Sequence, residues 1–263
     1  MEHSMERRKY FFFDFDGTLF EGKHYSEKAV AWMRRAQADG HWMILNTGRS
    51  QGSFDLDPFL PESPIRWDAR IYGMSDILVG DRAIQRVTMT PEAVIEWAEV
   101  ARRGKIELRL EEPHTNCIPF LFNKPGSQES GLLMERLERL VREVPVTKVE
   151  LLADYSRDSM PTEGDWTVHS ASGWFEVTAK GRSKGSAILD FCRLMGVARE
   201  DCVCFGDDYN DVDMFRVCGT GVCMRKAPEE LIRIADYHAG TDCGVAEGME
   251  WFFRKSGKIA DKT

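Results

Sequence analysis

The stretch Phe11-Phe12-Phe13-Asp14-Phe15-Asp16-Gly17-Thr18 constrains this chain more than any other. Residues 9–15, apolar from Tyr10 to Phe13 and interrupted by Asp14, read as a strand buried on both faces. Such strands belong to parallel sheets covered by helices. Two carboxylates at the C-terminal end of a buried strand are costly unless something there uses them. Spaced i, i+2 on a strand, Asp14 and Asp16 point the same way. Gly17 lets the chain leave sharply, and the C-terminal edge of an open α/β sheet is where ligands bind.

The rest of the chain supplies the sheet that this strand needs. Residues 27–39 read as an amphipathic helix with Val30, Met33, Arg34 and Gln37 at helical spacing, Ser26 as N-cap and Gly40 just past the end. Strands are predicted over 42–46, 202–205, 221–224 and 237–239. Helices are predicted over 186–195 (stopped by Gly196), 211–217, 228–235 and 245–254. This alternation predicts an α/β fold, a doubly wound parallel sheet with helices on both faces.

Between residues 87 and 179 the order changes. A helix over 91–103, capped by Thr90 with Pro91 at its first position, precedes strands over 105–111 and 117–123. A helix over 130–143, a strand over 148–153 and a hairpin of 166–170 with 174–178 follow. The grouping predicts an α+β domain, 87–179, inserted into an α/β core of 1–86 and 180–263.

A second acidic cluster, Asp207-Asp208-Tyr209-Asn210-Asp211, follows the strand that ends at Phe205-Gly206. In a parallel sheet this strand ends on the same edge as the first, so up to five carboxylates collect in one crevice. A divalent cation relieves their repulsion, and oxygen-only ligands point to Mg²⁺. Either cluster alone also fits ordinary helix capping. Asn46-Thr47-Gly48-Arg49 follows the second strand and offers a hydroxyl, a turn with free N–H groups and a cation, which suit a phosphoryl oxygen. Lys184 stands in the first turn of a helix, where the dipole disfavours a cation by about 0.3–1 kcal/mol, so an anion or nearby carboxylates give it a reason to be there.

Composition narrows the field. The 263 residues are 43% hydrophobic and 30% charged, as in an ordinary globular protein. With 43 acidic against 35 basic residues the net charge is −8, which argues against general binding of nucleic acid or anionic membrane. No apolar run approaches the roughly 18 residues of a membrane span, and the polar start does not read as a secretory signal. Seven scattered cysteines, Cys202 and Cys204 on one strand face among them, read as reduced, buried thiols and make the cytoplasm the expected compartment.

At this point the sequence resembles the haloacid dehalogenase-like hydrolases, and within them the Cof-like type IIB phosphatases. Asp14-Phe15-Asp16-Gly17-Thr18, Asn46-Thr47-Gly48-Arg49, Ser183-Lys184-Gly185 and Gly206-Asp207-Asp208-Tyr209-Asn210-Asp211 look like the four family motifs, in order. The insert lies where this subfamily carries its cap. Two departures stand out: Tyr72-Gly73 where members usually carry Asn-Gly, and Gly-Asp-Asp where Gly-Asp-Asn is commoner.

The resemblance implies a Mg²⁺-dependent phosphatase acting on a small phosphorylated metabolite, as a monomer or homodimer. Asp14 would be nucleophile, Asp16 acid–base and Lys184 the charge partner. Thr47, Gly48, Arg49 and Lys184 would hold the phosphate. Asp14, Asp16 (by its carbonyl) and Asp207 would bind the metal, backed by Asp208, Asn210 and Asp211. Arg109, His114, Lys124, Arg157 and His169 are conceivable cap contacts, though a solvated surface position is the commoner one for each, and Trp174 is another, though a tryptophan is more often core or interface. A sugar phosphomutase is the nearest rival. A phospho-accepting receiver module is the rival from another class, but it lacks a second acid two residues on and a cap. A dehalogenase needs neither Asp16 nor the acidic cluster, and an ATP-driven pump lacks its membrane spans.

Overall fold

A computed structural model describes residues 7–21, 24–114, 117–122, 126–152, 161, 163–171 and 174–257. Eight strands form the larger sheet: β1 (Tyr10–Phe13), β4 (Trp42–Thr47), β5 (Ala69–Tyr72), β6 (Asp76–Val79), β7 (Arg82–Gln85), β13 (Cys202–Gly206), β14 (Thr220–Cys223) and β15 (Tyr237–His238). Their order is β15-β14-β13-β1-β4-β5-β6-β7; two short strands, β2 (Phe20–Glu21) and β3 (His24–Tyr25), pair separately after β1, and a short helix, α2 (Gln51–Asp55), follows β4. The pairs from β15 to β5 are parallel, with β1 at the centre.

Each central strand packs both its faces. Phe11, Phe13, Met43, Leu45, Val203 and Phe205 meet α1 (Glu27–Ala38) and α8 (Gly244–Lys255). Phe12, Ile44, Cys202 and Cys204 meet α5 (Lys184–Met195), α6 (Val212–Val217) and α7 (Glu229–Ile234). Phe11, Phe12 and Phe13 are wholly buried, each contributing roughly 1.5–3 kcal/mol. The doubly wound α/β fold is therefore as expected; none of the seven cysteines is in a disulfide, and four are buried as expected, whereas Cys117 and Cys218 are part-buried and Cys243 is exposed.

Local signals fixed the helix ends. Ser26 accepts from the Ala29 N–H at the start of α1, and Gly196 closes α5 with φ +66°. The buried stripe of α1 differs from the expected one: it is Ala29, Met33 and Ala36. Small alanines let the helix lie close, while Arg34 and Gln37 reach sideways to the carbonyls of Pro64 and Arg66. Helix α5 begins two residues early, at Lys184, under a reciprocal Ser183–Ser186 capping box. The expected helix over 211–217 starts as a 3-10 turn at Tyr209–Asp211.

The antiparallel edge, β6 and β7, was not expected. It follows a tight turn in which Gly73 and Met74 both have positive φ, +53° and +60°. A left-handed methionine is rare. Here Met74 is fully buried and its carbonyl accepts from Nε and Nη2 of Arg182, at 3.0 and 2.7 Å.

The second sheet holds β8 (Glu107–Glu111), β9 (Ile118–Leu121), β10 (Lys148–Leu152), β11 (Trp166–Ala171) and β12 (Trp174–Ala179) in the order β11-β12-β10-β8-β9, all antiparallel. Together with α3 (Pro91–Gly104) and α4 (Gln128–Glu143) it has its own apolar cluster, including Trp97, Leu108, Leu110, Val149, Leu151 and Val177. Because side chains alternate along a strand, the other face presents Arg109, Glu111, Lys148, Glu150, Trp174 and Glu176 to a crevice over the larger sheet. Two residues of the expected hairpin turn, 172 and 173, lie outside the described residues.

Candidate active site

Asp14 stands one residue beyond β1, its N–H donating to the Phe205 carbonyl at 2.9 Å. Its carboxylate is almost fully buried and accepts a short hydrogen bond from Lys184 Nζ. The same ammonium donates to Asp211 Oδ1 at 2.6 Å and to Asn210 Oδ1 at 3.3 Å. Asp211 is fixed in turn: its Oδ2 accepts from the N–H groups of Asp207 and Asp208, at 2.8 and 3.1 Å. Asp207 accepts from Thr18 Oγ1 at 2.7 Å.

These contacts explain the lysine in the first turn of α5. The local dipole term is outweighed by two buried carboxylates within hydrogen-bond reach. Burial alone would lower the Lys184 pKa, but Asp14 and Asp211 hold it above the ordinary lysine range. Burial pushes Asp14 well above the usual carboxylate value, and Asp211 and Asp207 add to that against the opposing pull of Lys184. Asp207 is pushed up to about 6, by burial first and then by the Asp211 charge. Carboxylate oxygens of Asp14, Asp207 and Asp211 all lie within 4.8 Å of one another. Three crowded acids with oxygen-only donors are the environment a hard divalent cation fits.

Asp14, Asp16, Thr47, Gly48, Arg49, Lys184, Asp208 and Asn210 line one cavity of about 680 Å³. Thr47 ends β4 and its Oγ1 accepts from the Arg49 N–H at 3.2 Å. Although β1 ends at Phe13, so that both acids lie beyond the strand, Asp16 opens onto the same cavity as Asp14. It is half exposed, and Arg49 grips it through Nε and Nη2, both at 2.7 Å. The remaining arm of that guanidinium, Nη1, donates to Asp57 at 2.8 Å. The Arg49 fork thus faces Asp16 and Asp57. Asp208 caps the 3-10 turn through the Tyr209 N–H.

Of the conceivable contacts on the second sheet, Arg109 and Trp174 line the cavity. Arg109 is paired with Glu107 at 2.8 Å. His114 lies beside Arg86, His169 beside Thr178, and neither lines the cavity. Lys124 and Arg157 lie outside the described residues. Sequence reasoning passed over Glu111, Lys148, Glu150 and Glu176, which line the cavity, and Phe59, which lies at its rim and is 81% exposed. The alternation of β8, β10 and β12 held the signal for the first four: polar residues every second position, facing away from the apolar cluster.

A parallel α/β sheet that gathers a lysine-bridged carboxylate, a threonine turn and an acidic cluster at one edge, beneath a second sheet, defines an enzyme of the haloacid dehalogenase kind. The chain belongs to the haloacid dehalogenase-like hydrolase family, whose model matches residues 11–63 and 146–249. It is 30% identical over 247 residues to the phosphoglycolate phosphatase of Methanopyrus kandleri, covering 92% of this chain and 94% of that one. It is 31% identical over 248 residues to the phosphoglycolate phosphatase of Methanospirillum hungatei, covering 91% and 94%. Among solved structures, the subclass IIB sugar phosphatase BT4131 shares the fold with a TM-score of 0.77 at 22% identity, over 95% of this chain and all of that one. Among the described residues no helix is long and apolar enough to cross a membrane.

Proposed function

We propose that the protein is a Mg²⁺-dependent phosphatase that hydrolyses a small phosphorylated metabolite, a sugar phosphate or a phosphorylated cofactor, through an aspartyl-phosphate. Residues 87–179 act as the cap over the site. The observation that carries this reading is the buried Asp14 carboxylate, bridged by Lys184 to Asp211 and opening onto a cavity shared with Thr47. The phosphatase names of the full-length relatives support it.

In this reading an Asp14 oxygen attacks phosphorus, the bond to the ester oxygen breaks, and Asp16 delivers the proton that the leaving alkoxide needs. Asp16 then takes a proton from a water that attacks the aspartyl-phosphate, releasing inorganic phosphate and regenerating Asp14. Arg49 holds Asp16 by both oxygens, so this role requires one of them to be released toward the ester. Thr47 Oγ1 and the N–H groups of the following turn hold phosphoryl oxygens, and the Lys184 charge offsets the anions around them. Asp14, Asp207 and the Asp16 carbonyl would hold Mg²⁺, with Asp211, Asn210 and Asp208 behind them. When bound, the ion supplies positive charge that reduces the repulsion between a phosphate dianion and Asp14. The cap excludes water and chooses the leaving group.

The test is release of phosphate from p-nitrophenyl phosphate and a panel of phosphorylated metabolites, with Mg²⁺ and with a chelator. Asp14→Asn is expected to lower turnover by at least about three orders of magnitude, the scale of losing a covalent nucleophile, with an unchanged circular dichroism spectrum. Near-normal turnover in that variant would reject the assignment.

A further inference from the structure

The second sheet touches the larger one through side chains that end on backbone. Lys148, the first residue of β10, has only 2% of its side chain exposed and is surrounded by three acceptors. Its Nζ donates to Glu150 Oε1 at 2.8 Å, to Glu176 Oε1 at 2.9 Å and to the Gly48 carbonyl at 2.9 Å. An ammonium has three donors, and all three are used. Two carboxylates of its own sheet already balance the charge. The third bond, to a peptide carbonyl in the turn after β4, therefore fixes position.

A second anchor lies beside it. Glu111 is the cross-strand partner of Lys148. Its Oε2 accepts from the Ser50 N–H and from Ser53 Oγ, each at 3.2 Å. Lys148 thus holds the residue before Arg49, and Glu111 holds the residue after it. Arg49 in turn grips both oxygens of Asp16. A continuous set of contacts runs from the cap sheet, through the backbone of one turn, to the carboxylate that must pass a proton.

We propose that Lys148 is a positioning residue for proton transfer. With the cap seated, its bond to Gly48, together with the Glu111 bond to Ser50, sets Arg49 and through it Asp16. When the cap lifts, that bond is lost while Lys148 keeps Glu150 and Glu176. Acid–base catalysis is thereby matched to a closed crevice, in which water cannot compete for the intermediate. This rests on the phosphatase reading above.

The leaving group tests it. An alkyl phosphate needs a proton delivered to its departing oxygen, and p-nitrophenolate leaves without one. Lys148→Met is expected to lower kcat/KM, which reports the step in which the leaving group departs and not the later hydrolysis common to both esters, by about ten- to a hundredfold for glycerol phosphate and by no more than about threefold for p-nitrophenyl phosphate, since general acid catalysis is worth about 10²–10⁴ in rate. Asp16→Asn in the same assay should show the same selectivity more strongly. Lys148→Arg, which can still donate to Gly48, should recover most of the alkyl rate. If Lys148→Met does not fold, judged by circular dichroism, Lys148→Met with Glu176→Gln keeps the buried charge in balance and is held to the same expectation. Equal losses on both esters, or no loss on either, would overturn the role of Lys148. Undiminished turnover in Asp14→Asn would overturn the phosphatase reading instead.

Discussion

Gly17 shows how closely one residue is fitted. It leaves β1 with φ +87°, and a Cβ there would overlap the Asp207 carboxylate. Gly17→Ala therefore meets two penalties. The left-handed backbone costs about 1–2 kcal/mol for a residue with a side chain, and the new methyl displaces Asp207. The variant is expected to fold with a melting temperature a few degrees lower and to lose most Mg²⁺-dependent turnover of p-nitrophenyl phosphate; an unchanged rate would count against Asp207 as a metal ligand. Lys184→Met goes further, leaving Asp14 and Asp211 buried without their shared cation. A loss of about 3–5 kcal/mol is expected by denaturant unfolding, together with loss of turnover.

Asp14, Asp207 and Lys184 were legible because each violates a local rule: acids at the end of a buried strand, a cation in the first turn of a helix. Lys148 and Glu176 violate none. A lysine or glutamate on an alternating strand reads as solvent-facing, and the Gly48 carbonyl that explains Lys148 lies a hundred residues away.

Among the elements, α8 carries a device of a different kind. Glu247 in its first turn accepts from the N–H groups of Gly240 and Thr241, at 2.9 and 3.0 Å, and from the hydroxyls of Thr241 and Tyr237, both at 2.7 Å. It ties the segment after β15 to the helix. Burial alone would raise its pKa, but these four donors favour the charged form and hold it below the usual glutamate range. A group whose folded pKa is depressed stabilises the fold above its unfolded pKa and loses that contribution as the pH falls through the folded value. Glu247→Gln should accordingly lower the melting temperature by a few degrees at pH 7. The gap should close as the pH drops below about 4, toward and through the lowered value. A gap that does not narrow at all as the pH falls would show that shape rather than charge holds the segment.

Most elements were legible from caps and periodicity: Ser26 and Gly40 frame α1, Thr90 and Pro91 open α3. The β6–β7 edge was not, since its turn places methionine where sequence leads one to expect glycine or asparagine. The contact that holds Met74 there comes from Arg182, more than a hundred residues on.

Across the whole molecule, the acids belong to segments that meet only when the sheet forms. Asp14 follows β1, and Asp207 and Asp211 follow β13, its parallel neighbour. In the folded chain they lie close, Asp14 and Asp211 buried and Asp207 half-buried, whereas in the unfolded chain they are far apart and solvated. Folding without a cation therefore works against their repulsion. A cation that binds this arrangement and not the unfolded chain stabilises the protein by mass action, by about 2.7 kcal/mol at a hundredfold excess over Kd. Millimolar Mg²⁺ should raise the melting temperature, and a chelator should reverse the rise. Asp207→Asn removes one charge from the cluster while keeping its shape. Its melting temperature without metal should equal or exceed that of the parent, because repulsion is relieved, and its response to Mg²⁺ should be lost or much reduced. Asp81→Asn, altering a fully exposed acid between β6 and β7, should keep the full response. If Mg²⁺ shifted the parent and Asp207→Asn alike, the cation would be binding elsewhere, and these acids would have to be balanced by Lys184 alone.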